Sequence, residues 1–205
     1  MLSIVKSMTL HGLEGFIVDV QVDVAGGLPC WEIVGLPDVS IRESKERVRT
    51  AIKNSGYEFP SRRIVINLAP ATIKKVGSAF DLPIAVAILL ATDNINEFDF
   101  ENVAFVGELS LDGNVHSING ILPMCIEAKK LGIKEIIVPK ENAKEASIVD
   151  GISVIPVSSL NQVVAYLNKS IKINPEKFNS NELINSNQVY NLDFSEVKGQ
   201  KNIKR

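Results

Sequence analysis

Residues 64–91 read IVINLAPATIKKVGSAFDLPIAVAILLA, and the fold turns on how this stretch divides. Ile64 to Leu68 is a short apolar, β-branched run that ends at Pro70, as a buried strand would. A polar, basic turn follows through Lys74, Lys75 and Gly77. Asp81 then opens an apolar stretch from Leu82 to Ala91, long enough for a helix. Pro83 fits the first helical turn, where a missing N–H costs nothing. Asp81 suits an N-cap, accepting orphan amides at the positive end of the helix dipole. A helix apolar all round belongs inside a domain, and this one falls short of the ~20 residues that cross a bilayer. The pattern therefore predicts strand, loop and buried helix, with one carboxylate at the junction.

The flanking sequence extends the pattern on both sides. Residues 2–9 read as a strand, and 16–24, FIVDVQVDV, alternate with a period of two. Ala25-Gly26-Gly27 is a turn and Cys30 to Val34 a returning strand, which together predict an antiparallel meander. Asp38 is placed to cap a helix whose Ile41, Val48 and Ile52 recur at helical spacing, with Gly56 as its stop. Further on, 103–109 reads as one strand, Asp112-Gly113 as a hairpin turn before Val115 to Ile118, and Ile121 to Leu131 as a helix stopped by Gly132. Lys134 to Val138 and Ile152 to Val157 are strands separated by a short helix. Ser158 or Ser159 caps a last helix reaching about Asn168. Strands that first pair locally and then alternate with helices predict an α+β or mixed α/β domain with a mixed sheet around the buried helix. Asparagines at 174, 179, 181, 185, 187 and 191 mark a linker over 171–192, so the domain spans 1–170.

A chain of 205 residues with this composition supports one soluble globular domain and a tail. The N-terminus lacks a continuous apolar core of the kind signal peptides carry, and the only cysteines, Cys30 and Cys125, form no CxxC. A cytoplasmic setting with two separate thiols is expected, a single bridge between them being the alternative. His11 and His116 are the only histidines and neither stands at metal-ligand spacing, so no metal site is assigned. The net charge of −2 conceals an asymmetry: nine basic residues face three acidic ones between 42 and 75. Arg42, Lys45, Arg49, Lys53, Arg62, Arg63, Lys74 and Lys75 are the candidate contacts to DNA or to an acidic partner. The plainer alternative is a solvated helix face.

Catalytic motifs are sparse. No GxxxxGK[ST] phosphate loop occurs, and neither histidine neighbourhood matches a serine-hydrolase arrangement. A Ser–Lys pair of Ser78 with Lys74 or Lys75 is conceivable, provided the lysine is desolvated enough to serve as a base.

The run GLPCWEIVGLPDVSIRESKERVRTAIKNSGYEFPSRRIVINLAPATIKKVGSAFDLPIAVAIL, continued by GELSLDGNVHSINGILP and IVPKEN, closely resembles the N-terminal domain of the ComM/YifB family of magnesium chelatase-like AAA+ proteins. The resemblance covers roughly residues 1–168. The closing DFSEVKGQKNIKR, residues 193–205, resembles the entry to that family's ATPase domain, where Val197, Gly199 and Gln200 match an element beside the adenine. The expectation is a fragment holding the first domain and the start of a second, whose whole protein binds ATP and Mg2+, assembles as a homo-hexamer and drives branch migration or unwinding of DNA.

The first domain also resembles the proteolytic domain of Lon and the C-terminal domain of RadA, which implies a Lon protease-like fold. Setting DLPIAVAIL beside the SAGIA of active Lon proteases places Asp81 at the serine position. Setting SINGILPM beside PIGGLKEK places Leu122 at the lysine position. Both members of the dyad are then missing, so the resemblance implies a non-catalytic accessory domain, with Asp81 capping the helix and Leu122 packing in place of the base. A Lon-type Ser–Lys peptidase and a magnesium chelatase-like ATPase subunit are the alternatives.

Overall fold

The computed structural model describes residues 1–96 and 98–178. The 193–205 segment with Val197, Gly199 and Gln200, and most of the 171–192 linker, lie outside the described residues. Nine strands and five helices are described: β1 (Leu2–His11), β2 (Glu14–Ala25), β3 (Cys30–Val34), α1 (Val39–Asn54), β4 (Arg63–Ala69), α2 (Asp81–Ala91), β5 (Val103–Phe105), β6 (Glu108–Leu109), β7 (Val115–His116), α3 (Ile121–Lys130), β8 (Glu135–Pro139), α4 (Lys140–Ala146), β9 (Ser153–Val157) and α5 (Leu160–Leu167). Seven strands form one mixed sheet in the order β3-β4-β2-β1-β5-β8-β9, and β6 pairs with β7 in a small separate ribbon. The fold is mixed α/β. No helix among the described residues is long and apolar enough to cross a membrane.

Period-two patterning builds the sheet as expected. Val18, Val20, Val22 and Val24 of β2 and Ile64, Ile66 and Leu68 of β4 bury one face of an antiparallel pair running from Asp19↔Ala69 to Ala25↔Arg63. The predicted meander is corrected at β3. This strand does not return beside β2 but lies outside β4 and parallel to it, from Cys30↔Arg63 to Val34↔Asn67. The α1 crossover makes parallel pairing possible, since a helix is long enough to carry the chain back to the same end of the sheet.

The second correction concerns residues 103–109, which form two strands instead of one. β5 joins the main sheet and β6 the ribbon, with the break at Val106 and Gly107. Gly107 is where the chain touches the start of α2: its N–H donates to the Ala79 carbonyl (3.0 Å) and its carbonyl accepts from Leu82 N–H (3.0 Å). A Cβ at Gly107 would stand 2.8 Å from Val115 Cγ1, so a side chain there would have to push that buried valine aside.

Helix α2 is buried along its length except at Leu90. One side packs on β1 and β2, where Ser3 Oγ donates to the Ala87 carbonyl (2.7 Å), and α1 covers another side. These elements and α5 share one core, while Met8, Ala104 and the inner faces of α3 and α4 form a second on the other side of the sheet. Asp38 caps α1, accepting from Ile41 N–H (2.9 Å), and Ser159 caps α5, accepting from Gln162 N–H (3.2 Å). Beyond α5 the chain stays on the domain. Ile173 packs against the first core, and Glu176 N–H donates to the Val154 carbonyl of β9 (2.8 Å).

Candidate functional site

The junction between β4 and α2 is held by contacts from distant segments. Asp38 Oδ2 accepts from Gly77 N–H (3.0 Å), and Asp38 N–H donates to the Lys75 carbonyl (3.1 Å). Lys75 N–H in turn donates to the Leu36 carbonyl (3.2 Å). The Lys75 side chain is fully buried, and its ammonium donates to the carbonyls of Gly35 (2.9 Å) and Pro70. Burial lowers its pKa. Lys75 is thus removed from the candidate contact surface: it is an internal strut between two turns, held by peptide dipoles. Lys74, its neighbour, points to solvent.

Asp81 is not an N-cap, which corrects the expectation. It is the first residue of α2, its side chain makes no capping bond, and the donor one residue on, Leu82 N–H, is taken by Gly107. The carboxylate instead receives a bidentate grip from Arg47 of α1, Nε to Oδ2 at 2.7 Å and Nη2 to Oδ1 at 3.1 Å, with Leu109 N–H behind it (3.3 Å). Arg47 Nη2 also donates to the Ser40 carbonyl (3.0 Å). Burial raises the Asp81 pKa to about 6 against the opposing pull of Arg47, while the pairing raises that of Arg47. The bidentate geometry requires an anion, so the pair is ionised at neutral pH. A carboxyl whose folded pKa lies above its ordinary value binds its proton more readily when folded. The stability this group contributes is therefore present at low pH and lost as pH rises through about 6. Carboxyl NMR is expected to show one aspartate titrating near this value, and Asp81→Asn to remove that signal together with its share of the pH dependence. A midpoint near 4 in the native protein, the ordinary aspartate range, would refute the assignment.

Ser78, half-buried in the 3₁₀ turn before α2, donates its hydroxyl to the Glu108 carboxylate. Neither lysine of the turn is its partner. A carboxylate can accept that proton, but the desolvated lysine base of a Ser–Lys pair is not assembled, because Lys75 is committed to the two carbonyls. Leu122 on α3 is half-buried and lines a shallow surface groove with Ile126, Lys129 and Ile148. It takes no part in the Asp81 network.

The remaining basic candidates divide by position. Lys45, Arg49 and Lys53 share one face of α1 and, with Arg62 of the following loop, line a groove against β3. Arg42 lies one turn earlier on the same exposed face. Arg63 does not line the groove: its Nη2 stands 3.4 Å from Glu32, and strand alternation turns it away from Ile64. The rest of the lining is apolar or uncharged, led by Trp31 and Phe59, and includes no acidic residue. The two rings stack with centroids 6.1 Å apart, and the Arg49 guanidinium sits 5.9 Å from the centre of Phe59. Sequence reasoning missed these aromatics. Arg47, the remaining basic residue of the 42–75 stretch, had no role assigned from the sequence, although five residues after Arg42 it lies on the opposite side of the helix, toward α2.

Comparison with known proteins places the chain. The profile of the family described as subunit ChlI of Mg-chelatase matches residues 20–142. Competence protein ComM of Haemophilus influenzae is 35% identical over 205 residues, covering 100% of this chain and 40% of that protein. The Escherichia coli protein YifB is 39% identical over 166 residues, 81% of this chain and 33% of its own length. Lon protease 2 of Bacillus subtilis is 29% identical over 191 residues, 84% of this chain and 33% of that protein. The chain thus spans between a third and two fifths of these relatives.

Proposed function

The chain belongs to the family of subunit ChlI of Mg-chelatase, homologous to the N-terminal part of the ComM/YifB magnesium chelatase-like proteins, and from that premise we propose that it is a Lon-like accessory domain of a ComM-like AAA+ ATPase acting on DNA. The whole protein would use ATP and Mg2+ in an ATPase part beyond this domain, work as a homo-hexamer in the cytoplasm, and move DNA strands during recombination. The domain's own part is to hold or guide DNA and to support ring assembly.

The observation that carries this reading is the groove of Lys45, Arg49, Lys53 and Arg62, which gathers four cations and no acid. Such a lining suits a polyanion, because each phosphate neutralised releases condensed counterions. The Ser78–Glu108 and Arg47–Asp81 pairings favour a structural use of the β4–α2 junction over peptide hydrolysis.

Reversing Arg49 and Lys53 to Glu in the intact protein is expected to weaken DNA binding and to lower the slope of log affinity against log salt by about 2, roughly one for each phosphate that is no longer neutralised. Fluorescence anisotropy over a salt series measures both. An unchanged affinity and slope would take these residues off the DNA surface.

A further inference from the structure

The groove is more than a charged stripe. Trp31 sits on β3, one of the two edge strands of the sheet, and together with Phe59 it makes an aromatic wall among the cations. Arg49 lies over Phe59, so a charged rim and a ring surface are adjoining parts of one site. The Trp31 indole N–H is buried and has no acceptor among the described residues.

A duplex presents phosphates and groove edges, and its base faces are stacked out of reach. Cations alone would serve it. Aromatic rings beside cations serve a strand whose bases are free to stack, a contact indifferent to sequence. We propose that this groove binds single-stranded DNA, with a base packed against Trp31 and Phe59 and the flanking phosphates on Lys45, Arg49, Lys53 and Arg62. This specifies the substrate class of the site proposed above and rests on that proposal.

Trp31 is the only tryptophan of the chain, so its fluorescence reports on the wall directly. A dT oligonucleotide titrated into the 205-residue chain is expected to quench that fluorescence to saturation, whereas a duplex of equal length binds with little quenching. Trp31→Ala should weaken single-strand binding about tenfold or more and leave duplex binding within twofold. Trp31→Phe, which keeps a ring and protects the fold, should restore most of the affinity. An rU oligonucleotide separates the two sources of single strands, and quenching by rU alone would overturn the assignment to DNA. Saturable binding of both forms without quenching, weakened equally by Arg49→Glu, would overturn the stacking site and leave the DNA-binding domain standing. No binding of either form, in this chain or in the intact protein, would overturn both.

Discussion

Replacing Arg47 with Met is expected to destabilise the domain by about 3–5 kcal/mol, the range for removing one partner of a buried ion pair. The reason lies in the burial of the two ends. The Asp81 side chain has no exposure and that of Arg47 retains 23%. Without the guanidinium, Asp81 keeps only Leu109 N–H, at 3.3 Å, as donor. It must then take up a proton or remain as an uncompensated buried anion, and its pKa rises further. The reverse change is milder, because in Asp81→Asn the arginine can still reach water and keep the Ser40 carbonyl. Replacing both, Arg47→Met with Asp81→Leu, should recover most of the loss, since apolar pairs often match buried ion pairs in stability. Urea unfolding of the three variants measures the ordering. A loss below about 1 kcal/mol in Arg47→Met, the exposed-pair range, would show that the pair is solvated in solution.

Gly35→Ala is expected to cost about 2–6 kcal/mol, combining a strained backbone with an overpacked contact. Gly35 has φ +98°, a conformation that side chains resist, and its Cα faces β4. An added Cβ would overlap the Leu68 carbonyl oxygen and stand 2.9 Å from the carbonyl carbon and amide nitrogen of the same residue. These are backbone atoms within a paired strand and cannot swing aside as a side-chain tip does. Any retreat of residue 35 also withdraws the carbonyl that holds the Lys75 ammonium. The loss is therefore expected to reach the 70–77 turn. Thermal unfolding measures the cost, and amide NMR of Gly77, bonded to Asp38, shows whether the turn has moved. A variant as stable as the parent would mean that the strand end relaxes freely.

Local features were legible in the sequence. The alternating valines of β2, the caps at Asp38 and Ser159, and the turns at Gly56 and Gly132 each depend on residues a few positions apart, and all are present. What was hidden depends on partners far along the chain. A carboxylate opening an apolar helix suits a cap by every local rule, yet Gly107 serves the backbone donor from 25 residues after Leu82 and Arg47 claims the side chain from 34 before Asp81. Lys75 in a polar turn looks solvated until the Gly35 carbonyl is brought to it from 40 residues away. The parallel β3–β4 pairing is equally non-local. For the candidate groove, the cations on one face of α1 were readable from helical phase. The Trp31 and Phe59 wall was not, since it forms only when β3 lies beside β4 and the loop after α1 folds back.

The sheet has two ends, and they are not alike. At β9 the outward Val154 carbonyl is met by Glu176, whereas β3 is the last strand on its side. A bare strand invites a second molecule to add to it, and charge along the rim is one of the ways proteins discourage this. Two copies approaching through β3 would bring their Lys45, Arg49, Lys53 and Arg62 together, and like charges repel most strongly at low salt. The cations that line the groove therefore also oppose the growth of these molecules into a common sheet.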